Sequence, residues 1–422
     1  MPSFDELKGE ICTDVLIIGA GLSGLLTAFF LKERGVDCVV VEKGRICSHT
    51  TAHSTAKITA QHGLIYSKIL KSYGKEYAQM YYEANSQAVN SLKKLCKAAE
   101  CAFEEKANFV YSFNLNKLKE EAKALEILNV PYIYSEVLPL PVTASGAIGF
   151  DNQAQFNPLK LAEFLTKGLK IFENTWVREL KGTRAITDKG KIKAKKVVVA
   201  THFPFINKHG SYFLKLYQHR SYTLALKGAE KLRDMYVDDD KKGMSFSSFG
   251  EFFLLGGGGH RTGKTGGSYN ELRAFKNQYF TEAQEAFAFA AQDTISLDSI
   301  PYIGNYSRNT PDLYVCTGFN KWGMTSSLVS AQIISGEILC EKKDYANVFS
   351  PSRSILKPQI VVNGFESAKN LLYPTTRRCP HLGCALKYNK AEHSWDCACH
   401  GSRFSEEGKV LSGPANGDLK MN

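Results

Sequence analysis

Two short stretches at opposite ends of this 422-residue sequence hold residue types and spacings that can do chemistry. Toward the C-terminus, Cys379-Pro380-His381 and Cys397-Ala398-Cys399-His400 each present one sulfur and one imidazole from a tight loop. Fifteen residues separate His381 from Cys397, so the two loops offer two thiolates and two imidazoles to one centre. Such donors hold zinc or iron. The C-x-H and C-x-x-H spacing points to a [2Fe–2S] cluster with two cysteines on one iron and two histidines on the other, zinc being the alternative. Near the N-terminus, Gly19-Ala20-Gly21-Leu22-Ser23-Gly24 is a G-x-G-x-x-G, and Glu42 lies 18 residues past Gly24. In a strand-to-helix turn, Gly19 makes the tight turn, Gly21 lets the backbone approach a pyrophosphate and Gly24 permits close helix–strand packing. Glu42 can then accept hydrogen bonds from a ribose.

The elements around the glycines are the ones this chemistry requires. Val15-Leu16-Ile17-Ile18 reads as a buried parallel strand, Leu22 to Arg34 as a helix ending at Gly35, and Cys38 to Val41 as a second strand closing on Glu42. The helix N-terminus offers free N–H groups to phosphates. Lys195 to Thr201 and Asp312 to Gly318 are further buried strands, whereas Tyr222 to Leu226 and Glu251 to Leu255 alternate like antiparallel ones. Parallel and antiparallel signals interleave, which predicts one domain inserted into another. Ser327 to Leu339 reads as a last helix and Asp344 to Lys357 as a linker. Only one dinucleotide fingerprint is present, so no separate NAD(P)H domain is expected.

The late segments Ser296-Leu297-Asp298-Ser299-Ile300-Pro301-Tyr302-Ile303-Gly304 and Val315 to Thr325 resemble the C-terminal flavin signature of the D-amino-acid oxidase and glycine oxidase superfamily. The resemblance spans roughly residues 10 to 345. It implies FAD, with Gly318, Gly323, Met324 and Thr325 against the isoalloxazine and ribityl chain and Val177 meeting the adenine through its backbone. Some members hold FAD through a cysteine just before this signature; Ala290, Ala291 and Gln292 stand there, so non-covalent FAD is expected.

The two Cys/His boxes resemble a Rieske [2Fe–2S] domain, with Cys379, His381, Cys397 and His400 as ligands. That resemblance implies a disulfide between Cys384 and Cys399, and it places Gly413-Pro414-Ala415 at the family's proline loop. There are departures. Few residues precede the first box and only eight follow Pro414, so the domain is expected to lean on the flavin domain. Phe404 stands where higher-potential members carry a tyrosine, while the hydrogen-bonding Ser402 is kept.

The expected fold class is α/β: a Rossmann-like FAD-binding domain with an inserted mixed or antiparallel-sheet substrate domain, plus a small all-β Rieske domain. The oxidoreductase part takes residues 1–345, with FAD-binding parts near 10–85, 155–205 and 295–345 and substrate-domain parts near 86–154 and 206–294. A linker over 346–358 leads to the Rieske domain, 359–422. The expected activity is oxidation of an amine or amino acid by hydride transfer to FAD, with electrons passing to the cluster and on to an unidentified acceptor. The alternative is a flavin/Rieske electron carrier or redox sensor without an organic substrate. Arg220, His260 and Arg261 are the candidate catalytic residues, the arginines for a substrate carboxylate and His260 with Arg261 for facing the flavin.

Composition narrows the rest. Hydrophobic residues make up 44% and charged residues 23%, enough for a packed core and against disorder. The net charge of +11 comes from lysines spread along the chain, so no nucleic-acid surface is expected. Seven of the eleven cysteines are scattered, as reduced cytoplasmic thiols are. The apolar run Val15 to Leu31 is broken by its glycines and preceded by acidic residues, which argues against an anchor and for a soluble, cytoplasmic protein without a membrane span. Gly258-Gly259-His260-Arg261-Thr262-Gly263-Lys264-Thr265 matches a P-loop pattern, but Gly266-Gly267 would break the helix that a P-loop starts at its lysine, so ATP binding is not expected.

Overall fold

A computed structural model describes residues 1–240 and 243–420. The β-branched run at 15–18 is the buried end of the strand Gly9–Ile18, which lies inside an eight-stranded sheet. Its neighbours in order are Tyr302–Asn305, Leu313–Thr317, Gly190–Val199, Gly9–Ile18, Cys38–Val41 and Lys170–Phe172. All these pairs are parallel except the outer Tyr302–Asn305. Parallel strands covered on both faces read as continuous apolar runs, and Ile17 stands between Val40 and Val198 in register. The helix Leu22–Glu33 packs Leu25, Leu26 and Leu31 at 0% exposure, and Gly35, at φ +74°, turns the chain out of it.

The second sheet holds nine strands and draws on distant parts of the chain. Gln284–Ser296, Leu216–Lys227, Phe252–Arg261, Ser245–Phe249 and Met235–Asp238 run antiparallel in that order. Met235–Asp238 then pairs parallel with Glu104–Ser112, and Gly146–Gln155 and Lys57–Ile58 complete the path. The sheet is therefore mixed, as the interleaved signals predict. The P-loop-like glycines lie in and just after Phe252–Arg261, and the next helix begins at Ser268, not at Lys264.

The segment expected as a linker is packed, not loose. Ala346–Phe349 is a short helix with Val348 and Phe349 buried, and the Lys215 ammonium donates to the Pro351 carbonyl. Arg353 is paired with Asp298, their side chains only 5% and 6% exposed. Residues 358–372 then form a helix, Pro358–Leu372. Beyond it comes a four-stranded antiparallel sheet of Leu386–Asn389, Ser394–Cys397, Arg403–Phe404 and Val410–Ser412. Its core is small: Cys379, Cys384, Leu386, Cys397, Cys399, Phe404, Val410, Ala415 and Leu419, with Trp176 of the flavin domain packed against it. So small a core is marginal alone, and docking supplies the missing contacts. Among the described residues no helix is long and apolar enough to cross a membrane.

Candidate functional site

The first cavity opens at the carboxyl ends of the parallel strands, where open α/β sheets bind ligands. Gly19, Gly21, Glu42, Val177, Gly318, Gly323 and Met324 all line it. Gly19, at φ +107°, sits where a Cβ would come within 2.6 Å of the Ala200 carbonyl. Gly24 faces away from the cavity. A Cβ there would meet the Gly19 carbonyl at 2.0 Å, so its role is helix–strand approach. The Glu42 carboxylate accepts from the Ala20 N–H at 2.9 Å and the Gly44 N–H at 3.1 Å, bracing the glycine turn it faces. Thr325 lies behind the wall, exchanging hydrogen bonds with both backbone groups of Thr59. The turn before the Gly323–Ile338 helix places Asn320 and Lys321 at φ +52° and +75°, a strained pair such as functional sites hold.

The metal centre is built from two loops of matching geometry. The Gly383 N–H bonds the Cys379 carbonyl and the Gly401 N–H bonds the Cys397 carbonyl, each at 2.9 Å. Cys384 and Cys399 form a disulfide across the loops, while Cys379 and Cys397 remain free thiols and are buried. The sulfurs of Cys384, Cys397 and Cys399 lie within 4.8 Å of one another, and the disulfide leaves Cys397 as the available donor of the three. The Nδ1 atoms of His381 and His400 are buried with no hydrogen-bond partner, and the two rings stand 4.9 Å apart. Burial holds both imidazoles neutral, His381 pushed down to about 4 and His400 to about 3. The Cys397 thiol is lowered to about 7, first by its hydrogen bond with Cys379 and further by the backbone N–H groups of His400, Cys399 and Gly401. Two thiols, one of them eased toward thiolate, and two orphaned neutral imidazoles fit the donor set of a Rieske cluster. His381 Nε2 meets the Asn207 amide oxygen at 2.9 Å, which orients the ring.

Cavity and metal centre share walls. Leu411 to Asn416, including the Gly413-Pro414 turn, form one side of the first cavity. Phe203 lines the same cavity and stands edge-on to the His400 ring at 6.2 Å. Lys43 donates to the Val410 carbonyl at 2.8 Å, and Gln292 donates to the Gly401 carbonyl at 2.8 Å. A Cβ on Gly263 would come within 2.4 Å of the Ala398 nitrogen, so the loop after Phe252–Arg261 and the loop of Cys397–His400 touch backbone to backbone.

Arg220, His260 and Arg261 are placed differently from expectation. None of them lines either of the two main cavities. Ser221 and Gly259 take the cavity-facing positions, and the alternation of a strand turns Arg220 and His260 to the other face. Arg220 pairs with Glu392 of the cluster domain, and Tyr222 bridges His260 and Glu392 through its hydroxyl. Arg261, at the strand end, donates to the Ala398 carbonyl at 3.0 Å and the Cys399 carbonyl at 3.2 Å. The two arginines clasp the cluster domain.

A second cavity adjoins the first, sharing Thr50, Ser54, Asp293, Asn320, Lys321, Gly323 and Met324 with it. Its wall includes Lys57, which burial and the nearby Lys106 push down to about 8. It also includes Asp293, raised by burial against the pull of Lys321, and His62, which burial holds neutral at about 3. His62 stacks on Trp322 at 5.2 Å and its Nδ1 meets the Tyr81 hydroxyl at 2.7 Å. Sequence reasoning missed Lys57, His62, Asp293 and Phe203 as site residues. Each is a single residue outside any motif, so no local signal marked it.

Comparison with known proteins agrees with this arrangement. Residues 14–336 match the family of FAD dependent oxidoreductases of the D-amino-acid oxidase type, and the chain belongs to that family. Residues 337–421 match the Rieske [2Fe-2S] domain. The protein is thus an FAD-dependent oxidoreductase of amino-acid oxidase type with a C-terminal Rieske domain, and its cofactors are FAD and a [2Fe–2S] cluster. It is 32% identical over 485 aligned residues to the provisionally named Rieske 2Fe-2S iron-sulfur protein YhfW of Bacillus subtilis, an alignment covering 100% of this chain and 95% of that one. Gamma-glutamylputrescine oxidoreductase of Escherichia coli is 28% identical over 47% of this chain and 50% of its own length. The fold is similar to that of glycine oxidase from Geobacillus kaustophilus, with a TM-score of 0.68 at 17% identity, over 82% of this chain and 99% of that one.

Proposed function

We propose that this chain oxidises a small amine or amino acid by hydride transfer to FAD and passes the electrons through its Rieske cluster to a separate acceptor. In this reading Gly19, Gly21, Glu42, Val177, Gly318, Gly323 and Met324 hold the FAD, with Gly24 and Thr325 supporting the turn and the wall. Cys379, His381, Cys397 and His400 are the iron ligands. FAD accepts a hydride as two electrons, and the cluster takes electrons one at a time. The observation that carries the reading is Phe203, which belongs to the nucleotide cavity and meets the ring of His400. On this reading Phe203 would stand between the two centres.

The second cavity is the proposed substrate site. No arginine lines it among the described residues, so a substrate carboxylate would pair with Lys57 or Lys321 and a substrate amine with Asp293. Burial lowers Lys57 and raises Asp293, which suits groups that must lose water when a substrate enters. Gamma-glutamylputrescine oxidoreductase, a relative by sequence, and the amino-acid oxidases and deaminases of like fold support amines and amino acids as the class to screen. Anaerobic stopped-flow with glycine, sarcosine, D- and L-amino acids and diamines tests the proposal. The expected result is bleaching of the flavin followed by reduction of the cluster. A flavin that no compound bleaches would favour the electron-carrier alternative, and a cluster that stays oxidised after the flavin is reduced would refute the electron route.

A further inference from the structure

The helix Pro358–Leu372 is amphipathic in the wrong sense for a globular surface. A helix packed on a protein normally buries its apolar stripe and exposes its polar one. Here Asn363, Glu366 and Asn370, spaced to share one face, are the buried residues, at 2%, 9% and 4% exposure. That polar face is fully engaged: Asn363 donates to the Leu214 carbonyl and accepts from Arg261, and Glu366 is bound to Lys264. The apolar residues point outward instead. Val361 is 72%, Phe365 67% and Leu372 83% exposed, and Leu356 just ahead of the helix is 86% exposed. The patch continues to the metal centre, because Leu371 lies against Gly383, and Leu382 beside it follows the ligand-type His381 and is itself exposed.

Charge says what covers this face. Residues 345–391 contain Arg353, Lys357, Lys369, Arg377, Arg378, Lys387 and Lys390 but a single acidic residue, Glu366. Glu366 is buried against Lys264, and Arg353 is buried against Asp298. Of the other six, Lys369 is exposed on the helix itself and Arg378 donates to the Leu371 and Tyr373 carbonyls at its end, so cations border the apolar stripe, and the one carboxylate of this stretch is buried. A second copy seated on this face would bring two cationic rims together, since a two-fold interface opposes like with like. A 15-residue helix is about 22 Å long, too short to span a bilayer but suited to lie in its surface.

We propose that the outer face of Pro358–Leu372 is a membrane-docking surface that seats the protein on an anionic lipid bilayer, with the His381 loop of the metal centre beside the lipid. The apolar residues enter the headgroup–acyl boundary and the cations meet the lipid phosphates. The rest of the chain stays in water.

Co-sedimentation of the full-length holoprotein with phosphatidylcholine vesicles, pure or containing about one-third phosphatidylglycerol, tests this. The protein should pellet with the anionic vesicles, weakly with the neutral ones, and less at high salt. The double variant Phe365→Glu, Leu372→Glu should reduce the bound-to-free ratio about tenfold or more, which is 1.4 kcal/mol, with flavin and cluster spectra unchanged. In a second variant, Phe365→Trp, indole fluorescence should shift to the blue on adding anionic vesicles. The proposal is overturned if the wild type ignores both vesicles, or if the carboxylate variant binds as well as wild type, which would reduce the effect to charge alone. Sedimentation velocity showing a dimer that Phe365→Glu dissociates, without vesicle binding, would equally overturn it and assign the face to self-association.

Discussion

Arg261 is a half-buried cation aimed at the cluster loop, and its removal should lower the cluster's midpoint potential. Its guanidinium donates to the carbonyls of Ala398 and Cys399, which flank the Cys397 and His400 positions. Burial lowers its pKa, yet an arginine keeps its proton. Its charge is poorly cancelled, because the nearby Glu366 is already bound to Lys264. A unit positive charge about 8 Å from a reduced centre, in a medium of effective dielectric about 20, would favour the added electron by about 2 kcal/mol. At 59 mV per 1.4 kcal/mol for a one-electron couple, that is about 90 mV. In an EPR-monitored redox titration of the full chain, Arg261→Gln should fall by something of that order, and Arg261→Lys should recover much of it. Arg220 is the control: Glu392 neutralises it, so Arg220→Gln should move the potential less. A shift below about 20 mV in Arg261→Gln, or an equal fall in Arg261→Lys, would show that the charge does not act on the cluster and would refute the reasoning.

Phe404 is fully buried in the cluster domain's core, and Phe404→Tyr should raise the midpoint potential by adding a hydroxyl donor near the cysteines, which voltammetry would read directly. Arg353→Ala should destabilise the protein by about 3–5 kcal/mol by leaving Asp298 buried without its cation, seen as a large drop in the thermal midpoint; a change within scatter would contradict this. Burial alone would raise Asp298, but the Arg353 guanidinium and the Tyr73 hydroxyl hold it below the usual carboxylate range. That contribution is therefore complete above the unfolded-state value of about 4 and is lost as pH falls through the lower folded value, an acid-side dependence that Arg353→Ala should abolish. Thiol titration of the denatured protein should gain two groups on reduction, from Cys384 and Cys399.

What the sequence determined by itself was local. The glycine turn at 19–24 and the boxes at 379–384 and 397–400 act through neighbours a few residues away, so their spacing carries their geometry, and the strand and helix around the turn follow from short apolar runs. Tertiary structure decided what those pieces face. Arg220 and Arg261 read as substrate arginines because nothing local says that Arg220 meets Glu392 and that Arg261, at the strand end, meets the Ala398 and Cys399 carbonyls of the cluster domain. The wall of the second cavity draws Lys57, His62, Asp293 and Trp322 from strands and loops far apart in sequence, whose meeting depends on long-range pairing such as Leu216↔Ser296. The segment 346–358 reads as a linker from its prolines and serines, yet the cation of Arg353 finds a buried carboxylate only in the folded chain. The helix Pro358–Leu372 has the polar stripe of any surface helix, and periodicity gives its stripe but not its direction. Direction depends on which face finds partners, and here Arg261, Lys264 and the Leu214 carbonyl draw the polar face inward and leave the apolar one outside.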